Sequence, residues 1–455
     1  MVSPELAQLH NSSPMAKPSA RNKASFSLAD SFLFLGGAFV ALLLVWSLSC
    51  FTGPSPNPDG IFGQLGLGGS QSKSSGDSPN CGGDVNRRHD PDETNFYDEP
   101  EMSYSIGKSV KNWDEKRREW LKQHPSFAAG ARDRVLMLTG SQPSPCKNPI
   151  GDHLLLRFFK NKVDYCRIHG CDVFYNNALL HPQMGSYWAK LPVVRAAMLA
   201  HPEAEWIWWV DSDALITDMD FKLPLDRYKN HNLIVHGWAH LIYDDKSWTG
   251  LNAGVFLIRN CQWSMDLVDV WAGMGPQTPE YNKWGQILRS TFKDKLFPES
   301  DDQTGLIYLI YKEKSKWADK IYLEGEYYFE GYWHEIVGTL DNTTETYTDM
   351  EREDATLRRR HAEKVSERYG AYREERHLKD AGNGKGSWRR PFITHFTGCQ
   401  PCSGNHNEMY PGNSCWDGMR KALNFADNQV LRNFGFMHSD PLDSSISSLP
   451  FDYPW

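Results

Sequence analysis

Apolar and polar positions change period several times after residue 133, and each block has the length of a strand or a helix. Short apolar runs predict strands at residues 134–139, 172–175, 207–210, 233–236 and 253–258. Between and after them, apolar residues recur at helical spacing and predict helices at 152–169, 187–200, 261–274, 284–292 and 302–311. This alternation favours an α/β fold, with a mostly parallel central sheet flanked by helices.

Two later segments differ from this pattern. Residues 351–380 are densely charged and have few apolar positions for a core. They predict a solvated helix that is stabilised by pairs of opposite charge at i,i+4. The chain then returns to an apolar run at 391–396, which predicts a further strand.

An uncharged, largely apolar run at residues 31–51 predicts a transmembrane signal anchor. Lys17, Arg21 and Lys23 precede it, and no basic residue follows until Lys73. The positive-inside rule therefore predicts a cytosolic amino terminus and a luminal remainder. A cleaved signal peptide is the alternative, although its apolar core would be shorter and nearer the start. A span this short suits the thinner membranes of the early secretory pathway.

The anchor divides the chain into segments of different composition. Residues 1–30 would form a cytosolic tail, and residues 52–103, rich in Gly, Ser, Pro and Asn, a flexible luminal stem. Residues 104–440 would form the folded head, followed by a carboxyl-terminal tail at 441–455. The sequon at Asn342 predicts N-glycosylation and agrees with a luminal head.

Charge and cysteine content narrow the functional classes. The net charge of −8 argues against a nucleic-acid partner, which would favour a basic face. Nine cysteines in an oxidising lumen should pair in part, and the odd count leaves at least one thiol without an intrachain partner. Cys399 and Cys402 could form half of a zinc site or a redox pair. A loop disulfide that involves Cys415 is the favoured alternative.

Two aspartates, Asp211 and Asp213, follow the apolar strand at 207–210. Ligands of open α/β sheets bind at the carboxyl ends of the strands. Two carboxylates at such an end suit a hard divalent cation, and a cation there suits a nucleotide diphosphate. The alternative is an acidic strand end that caps the next turn. His395, on the late strand, is the candidate third ligand and would favour manganese, although a lone histidine is more often structural.

Other polar residues are candidates with ordinary alternatives. Asp301 and Asp302 precede a predicted helix, where one can cap the helix while the other points into a cleft. Asn252 could bind hydroxyl groups or serve a turn. Three basic residues could offset the charge of a diphosphate, although solvated basic residues are the common case: Lys190, Arg389 and Arg390.

Several motifs occur in order along the head: Ser-Tyr-Trp-Ala-Lys-Leu-Pro at 186–192, Trp-Trp-Val-Asp-Ser-Asp-Ala at 208–214, Leu-Asn-Ala-Gly-Val-Phe-Leu-Ile-Arg-Asn at 251–260, Ser-Asp-Asp-Gln at 300–303 and Thr-His-Phe-Thr-Gly-Cys-Gln-Pro-Cys at 394–402. Together they resemble the plant family of galactomannan galactosyltransferases and xyloglucan xylosyltransferases, glycosyltransferase family 34. The resemblance extends from about residue 112 to residue 436.

This resemblance implies a Golgi type II membrane enzyme with a GT-A-type fold. Such an enzyme uses a UDP-sugar and Mn²⁺ to place an α-1,6-linked sugar on a β-1,4-linked polysaccharide, with retention of the anomeric configuration. By position, Asp211, Asp213 and His395 would hold the metal. The residues at the reacting sugar would be Asp301, Asp302 and Gln303. Donor and acceptor would be bound by Gly140, Ser141, Lys190, Ser212, Asn252, Gly398 and Gln400.

Gln400 separates the two branches of the family. The resemblance implies that the xylosyltransferase branch has lysine at this position. The glutamine of this chain is similar to the galactosyltransferase branch. The leading prediction is therefore transfer of galactose from UDP-galactose to a β-1,4-mannan. The alternatives are a xyloglucan xylosyltransferase that uses UDP-xylose and a weakly active scaffold subunit of a cell-wall synthesis complex. The resemblance is also compatible with homo- or hetero-oligomers of such enzymes.

Overall fold

The computed structural model describes residues 94–358 and 363–454. Its main sheet has six strands in the order β2-β1-β3-β6-β5-β7. These are β1 (Val135–Gly140), β2 (Asp172–Asn176), β3 (Trp206–Val210), β5 (Leu233–Gly237), β6 (Leu251–Arg259) and β7 (Ile321–Glu324). Two smaller sheets pair β4 (Ala214–Ile216) with β8 (Ile393–His395), and β9 (Phe436–Met437) with β10 (Ser447–Ser448).

The α-helices alternate with the strands of the main sheet through most of the head. They are α1 (Trp113–Gln123), α2 (Pro125–Ala128), α3 (Gly151–His169), α4 (Lys190–Ala200), α5 (Ala239–Tyr243), α6 (Gln262–Ala272), α7 (Tyr281–Thr291), α8 (Asp302–Lys312), α9 (Lys314–Trp317), α10 (Trp333–Ile336), α11 (Leu340–Glu353), α12 (Ser366–Arg376) and α13 (Ser414–Leu431). Outside residues 351–380, the predicted strands and helices are present within a few residues of their expected limits. The predicted helix at 187–200 begins as a 3-10 turn, Ser186–Ala189, before α4.

The main sheet is mixed, with mostly parallel pairing. β1 pairs in parallel with β2 and β3, and β5 pairs in parallel with β7. β6 runs antiparallel to both β3 and β5. The predicted α/β class with a mostly parallel sheet flanked by helices is therefore confirmed, and the arrangement agrees with the expected GT-A-type fold. Because β3 and β5 both run opposite to β6, their carboxyl ends share one edge.

The central strand β3 is buried on both faces, as its composition predicts. Trp208 packs in one apolar cluster, and Ile207 and Trp209 pack in another on the opposite face. Successive side chains of a strand point to opposite faces. This double burial fixes the strand that leads directly to Asp211.

The prediction of one solvated helix at 351–380 is wrong. The segment contributes the end of α11 and the helix α12, and charged residues from it face inward. Arg373 is 1% exposed; its guanidinium lies 2.6 Å from Asp220 and 3.4 Å from Glu351, which is also buried. Arg432 forms an ion pair with Glu351 as well. The high charge density led to the wrong prediction of a solvated helix because Arg373 and Glu351 form ion pairs inside the fold instead of facing water.

Three disulfides are present in the described part of the chain: Cys146–Cys402, Cys166–Cys171 and Cys399–Cys415. The prediction of a loop disulfide with Cys415 is confirmed. Cys399 and Cys402 pair with other cysteines, so they form neither a zinc site nor a redox pair with each other. Cys261 is a free thiol.

The membrane anchor predicted at residues 31–51 lies outside the described residues, as do the cytosolic tail and most of the stem. Among the residues that are described, no helix is both long enough and apolar enough to cross a membrane. The predicted tail at 441–455 contributes β10, which pairs with β9.

The buried ion cluster generates a stability prediction. Replacement of Arg373 by methionine removes the cation but keeps much of the side-chain volume, and it leaves the buried Glu351 and the partly buried Asp220 without that partner. We expect Arg373→Met to lower the free energy of unfolding by about 3 kcal/mol, measured by chemical or thermal denaturation. Lys222→Met is the matched control, because Lys222 pairs with Glu367 at the surface and is 72% exposed. Equal effects of the two substitutions would show that the cluster does not stabilise the fold.

Candidate active site

Asp211, Asp213 and His395 meet at the carboxyl end of β3. One ligand atom from each residue lies within 4.8 Å of those of the other two. The pairing of β4 with β8 causes this meeting, because it places His395 directly opposite Ala214, the residue after Asp213. His395 Nε2 lies 3.3 Å from Asp213 Oδ1 and 4.0 Å from Asp211 Oδ2. The structure therefore brings together the three residues predicted as metal ligands.

Two neighbours that the sequence analysis missed hold this triad in place. Glu330, which is buried, lies 3.1 Å from His395 Nδ1 and leaves Nε2 directed at the aspartates. Trp209 donates its indole N–H to Asp211 Oδ1 at 2.6 Å. Burial alone would lower the pKa of His395, but Asp213 and Glu330 outweigh burial and raise that pKa to about 10. A carboxylate behind a histidine ligand is a common second partner at metal sites.

Gly254 makes the approach of the strands possible. A β-carbon at this position would lie 2.3 Å from His395 Cε1 and 2.7 Å from Asp211 Oδ2. The pairing of β5 with β6 shifts next to Gly254: Val235 lies opposite Phe256, whereas His236 lies opposite Asn252. The extra residues of β6 form a bulge, a feature that often aims residues at a site. The donor set and the space left by Gly254 fit a divalent cation.

Lys190 connects the triad to Asp302. Its ammonium group lies 2.8 Å from Asp302 Oδ2 and 3.4 Å from Asp211 Oδ1, and it donates to the carbonyl of Ala253 at 2.9 Å. Asp302 is buried, and burial raises its pKa to about 6 although Lys190 opposes the shift. Asp302 is therefore the predicted acidic residue of the 301–303 motif that reaches the triad, through Lys190.

The neighbours of Asp302 point elsewhere. Asp301 caps helix α8 by accepting from the Thr304 N–H at 2.8 Å, and its other oxygen lies 2.7 Å from Lys295. Gln303 donates to the Trp248 carbonyl at 3.0 Å and accepts from the Ala253 N–H at 3.3 Å. Both side chains therefore bind neighbouring parts of the protein, whereas Asp302 contacts Lys190. A direct catalytic role for either one stays a prediction.

Asn252 lies beside the triad. Its side-chain oxygen accepts from the Gly254 N–H at 2.7 Å. The predicted strand begins at residue 253, just after Asn252, but in the structure Asn252 belongs to β6. Its side chain is partly exposed, so its amide can reach a bound hydroxyl group.

A cavity of about 680 Å³ opens beside the aspartates. Its volume is in the range of small-ligand sites. Its walls include the predicted residues Gly140, Ser141, Lys190, Asp211, Ser212, Asp213 and Gln400. The loop that contains Gln400 is held at both ends, because Cys399 pairs with Cys415 and Cys402 pairs with Cys146. Gly398 precedes this loop with φ +79°, a conformation that favours glycine, and lies outside the cavity lining.

The cations at the cavity differ from those expected. Arg389 pairs with Glu374 and Arg390 with Asp220, and neither arginine lines the cavity, so their predicted contact with a diphosphate is wrong. Lys147, which the sequence analysis did not consider, is exposed and lines the cavity. The sequence would have indicated that Lys147 lines the cavity only if the pairing of the neighbouring Cys146 with Cys402 had been known.

The structure thus places a candidate metal-binding triad beside a cavity, and the similarity to known proteins identifies the family. Residues 131–406 match the galactosyl transferase GMA12/MNN10 family. Galactomannan galactosyltransferase 1 of Cyamopsis tetragonoloba is 62% identical over 97% of this chain and 100% of that protein. Glycosyltransferase 6 of Arabidopsis thaliana is also 62% identical, over 97% of this chain and 99% of its own length.

A more distant relative represents the second branch. Probable xyloglucan 6-xylosyltransferase 3 of Arabidopsis thaliana is 44% identical over 80% of this chain and 73% of its own length. The resemblance found in the sequence motifs is thus confirmed over most of the head. The chain belongs to the galactosyl transferase GMA12/MNN10 family and is a glycosyltransferase.

Proposed function

We propose that this chain transfers galactose from UDP-galactose to a β-1,4-mannan backbone through an α-1,6 linkage, with retention of configuration and dependence on Mn²⁺. The observation that carries the proposal is the Asp211–Asp213–His395 triad beside a cavity that contains Gln400. The 62% identity to a galactomannan galactosyltransferase supports the galactosyl branch, since the xylosyltransferase relative is 44% identical.

Asp211, Asp213 and His395 would hold the metal, with Glu330 fixing the ring of His395. Two carboxylates and one imidazole are a donor set that suits Mn²⁺. When bound, this ion supplies positive charge that stabilises the diphosphate leaving group. The residues around it have separate tasks: Trp209 orients Asp211, and Gly254 leaves the space that the ligands need.

The cavity would hold the nucleotide and its diphosphate. The loop at Gly140 and Ser141 would line the uridine, and Ser212 would lie between the two metal ligands. All three donors of Lys190 are directed to protein oxygens. Lys147 is therefore the better candidate for direct contact with the phosphates, because it is an exposed residue that lines the cavity.

Asp302, which lies 2.8 Å from Lys190, would be the carboxylate that acts at the donor sugar. The bond between the anomeric carbon and the phosphate oxygen breaks, and the acceptor oxygen bonds to the same carbon on the same face. Asp302 would stabilise the positive charge that develops at this carbon, as a nucleophile or as an electrostatic partner. The acceptor proton would pass to the departing phosphate or to this carboxylate. Lys190 would keep Asp302 ionised and oriented.

The membrane topology proposed for the chain is type II, in the Golgi, with a luminal head. It rests on the uncharged run at 31–51 and on the basic residues that precede it. Asn342 is exposed on α11 and is accessible for the proposed glycosylation. A luminal head would have access to lumenal UDP-sugars and polysaccharide.

Transfer by sealed microsomes tests activity and topology together. The full-length chain is incubated with UDP-galactose or UDP-xylose, each with manno- or cello-oligosaccharides and Mn²⁺. We expect product from UDP-galactose on manno-oligosaccharides, and only after detergent opens the vesicles. Mass spectrometry and α-galactosidase digestion would identify the linked sugar.

The four donor and acceptor combinations make the outcomes distinct. Product from UDP-xylose on cello-oligosaccharides alone would contradict the galactosyl proposal and support the xylosyl alternative. Product without detergent would contradict the luminal head. Absence of product in every combination, from a folded chain, would support the scaffold alternative.

Glu330 tests the metal site. Glu330→Gln keeps the shape of the side chain but removes the negative charge behind His395. We expect the Mn²⁺ concentration for half-maximal activity to rise by about 10- to 100-fold, with activity recovered at high Mn²⁺. Asp213→Ala should not recover, because it removes a ligand itself. Glu119→Gln, an exposed residue paired with Lys122 on α1, is the control. An unchanged Mn²⁺ dependence of Glu330→Gln would contradict this role.

Substitutions of Lys147 and Gln400 test which side chain supplies positive charge to the diphosphate. We expect Lys147→Gln to raise the KM for the UDP-sugar by about tenfold, the loss of one charge-assisted hydrogen bond. Because the two loops are joined by Cys146–Cys402, Gln400→Lys should restore part of this loss in the double variant. Arg389→Gln is the control, since Arg389 lies outside the cavity lining. Equal KM values for Lys147→Gln and the unaltered chain would exclude the contact.

A further inference from the structure

A polymeric acceptor needs a surface that extends beyond the donor cavity. The cavity occupies one side of the triad, where it is lined by the loops after β1 and before α13. Asn252 borders the triad but does not line that cavity. The position where a Gly254 β-carbon would lie is 3.0 Å from Asn252 Oδ1 and 2.7 Å from Asp211 Oδ2. Asn252, which is partly exposed, therefore borders the triad where β6 pairs with β5.

A continuous series of contacts follows this edge. His236 lies directly opposite Asn252 in the antiparallel pairing of β5 with β6. Residues that oppose each other in such a pair share a face of the sheet. The imidazole of His236 is fixed by the Glu324 carbonyl at 2.7 Å from Nδ1. It contacts the indole of Trp238 edge to face, with ring centroids 4.7 Å apart.

Trp238 ends this series in a fixed but open position. Its backbone N–H donates to the Gly250 carbonyl at 2.9 Å, which holds the residue against β6. A β-carbon at Gly325 would lie 3.6 Å from Trp238 Nε1, so the indole packs against the backbone there. The side chain is nevertheless 41% exposed, whereas most tryptophans of the head are buried. An aromatic ring that is held on one side and open on the other resembles a binding platform more than a core residue.

The distance along the edge suits an oligosaccharide. Gly250, the residue before β6, and Gly254 are four residues apart, which is at most roughly 13 Å because β6 bulges within this stretch. This span corresponds to a few consecutive sugar residues. Hydroxyl groups near the triad could reach Asn252, and an apolar sugar face could stack on the indole. Aromatic side chains with a few placed polar groups are the usual composition of small-molecule sites.

We propose that Trp238 binds the acceptor by stacking against a sugar of the β-1,4-linked backbone, a few residues from the sugar that is modified. The acceptor class rests on the proposed function. Asn252 and Trp238, which are connected through the buried imidazole of His236, then form an acceptor subsite beside the triad, and neither of them lines the donor cavity. Its contribution depends on chain length, because only an acceptor long enough to reach Trp238 gains the contact.

Binding of oligosaccharides of increasing length tests this subsite without requiring transfer. Full-length chain in detergent is titrated calorimetrically with manno- and cello-oligosaccharides from three to six sugars, with UDP and Mn²⁺ present. For the unaltered chain we expect tighter binding as the acceptor lengthens. Trp238→Ala should weaken the six-sugar ligand by about tenfold and the three-sugar ligand much less, so the gain with length is lost. Trp238→Phe, which retains a ring, should keep part of the gain.

Phe127→Ala is the matched control. Phe127 is 38% exposed, close to the value for Trp238, but its carbonyl accepts from Arg134 at the amino end of β1. It therefore lies at the opposite edge of the sheet, and its replacement should leave the length dependence unchanged. Equal length dependence in Trp238→Ala and the unaltered chain would overturn the proposal. A chain that binds oligosaccharides in this way but transfers no sugar would contradict the proposed function and leave the subsite standing.

Discussion

The structure depends on the confinement of negative charge at the end of a buried strand. Asp302 and Glu330 are buried, and Asp211 and Asp213 lie partly exposed beside the cavity. Carboxylates in such a place are costly unless cations or hydrogen-bond donors compensate them. His395 and Lys190 supply compensation directly. Trp209 adds a hydrogen bond to Asp211, and the surrounding helices and strands hold these groups in position.

A third basic residue, Lys162, lies close to the same carboxylates. Lys162 on α3 is fully buried and donates to the Ala214 carbonyl at 2.6 Å, next to Asp213. Burial lowers its pKa to about 7, although Asp213 and Asp211 oppose the shift. A bound divalent cation would add further positive charge to the same region. The site is therefore a balance of charges in which each cation affects the proton affinity of its neighbours.

The sequence predicts local features of this balance better than distant ones. The aromatic run before Asp211 identifies a buried strand, and period and length identify the neighbouring helices. The link between Lys190 and Asp302 could not be predicted, because it joins α4 to the start of α8, which are far apart in the sequence. Glu330 was missed for the same reason: it lies 65 residues before His395 and in no recognisable motif. Arg373 lies in a segment that was predicted to be solvated, but it is buried. A charged sequence does not indicate that its charges will pair with one another inside the fold.

The Cys146–Cys402 disulfide has a consequence for the integrity of the chain. It spans 256 residues and encloses both aspartates, His395, the Asp302 helix and most of the main sheet in one covalent ring. A single peptide bond broken within this ring would leave the two fragments joined. The disulfide would still join the two loops that line the cavity, so a nicked chain can retain its donor pocket. Release of the fragments would require reduction as well as cleavage.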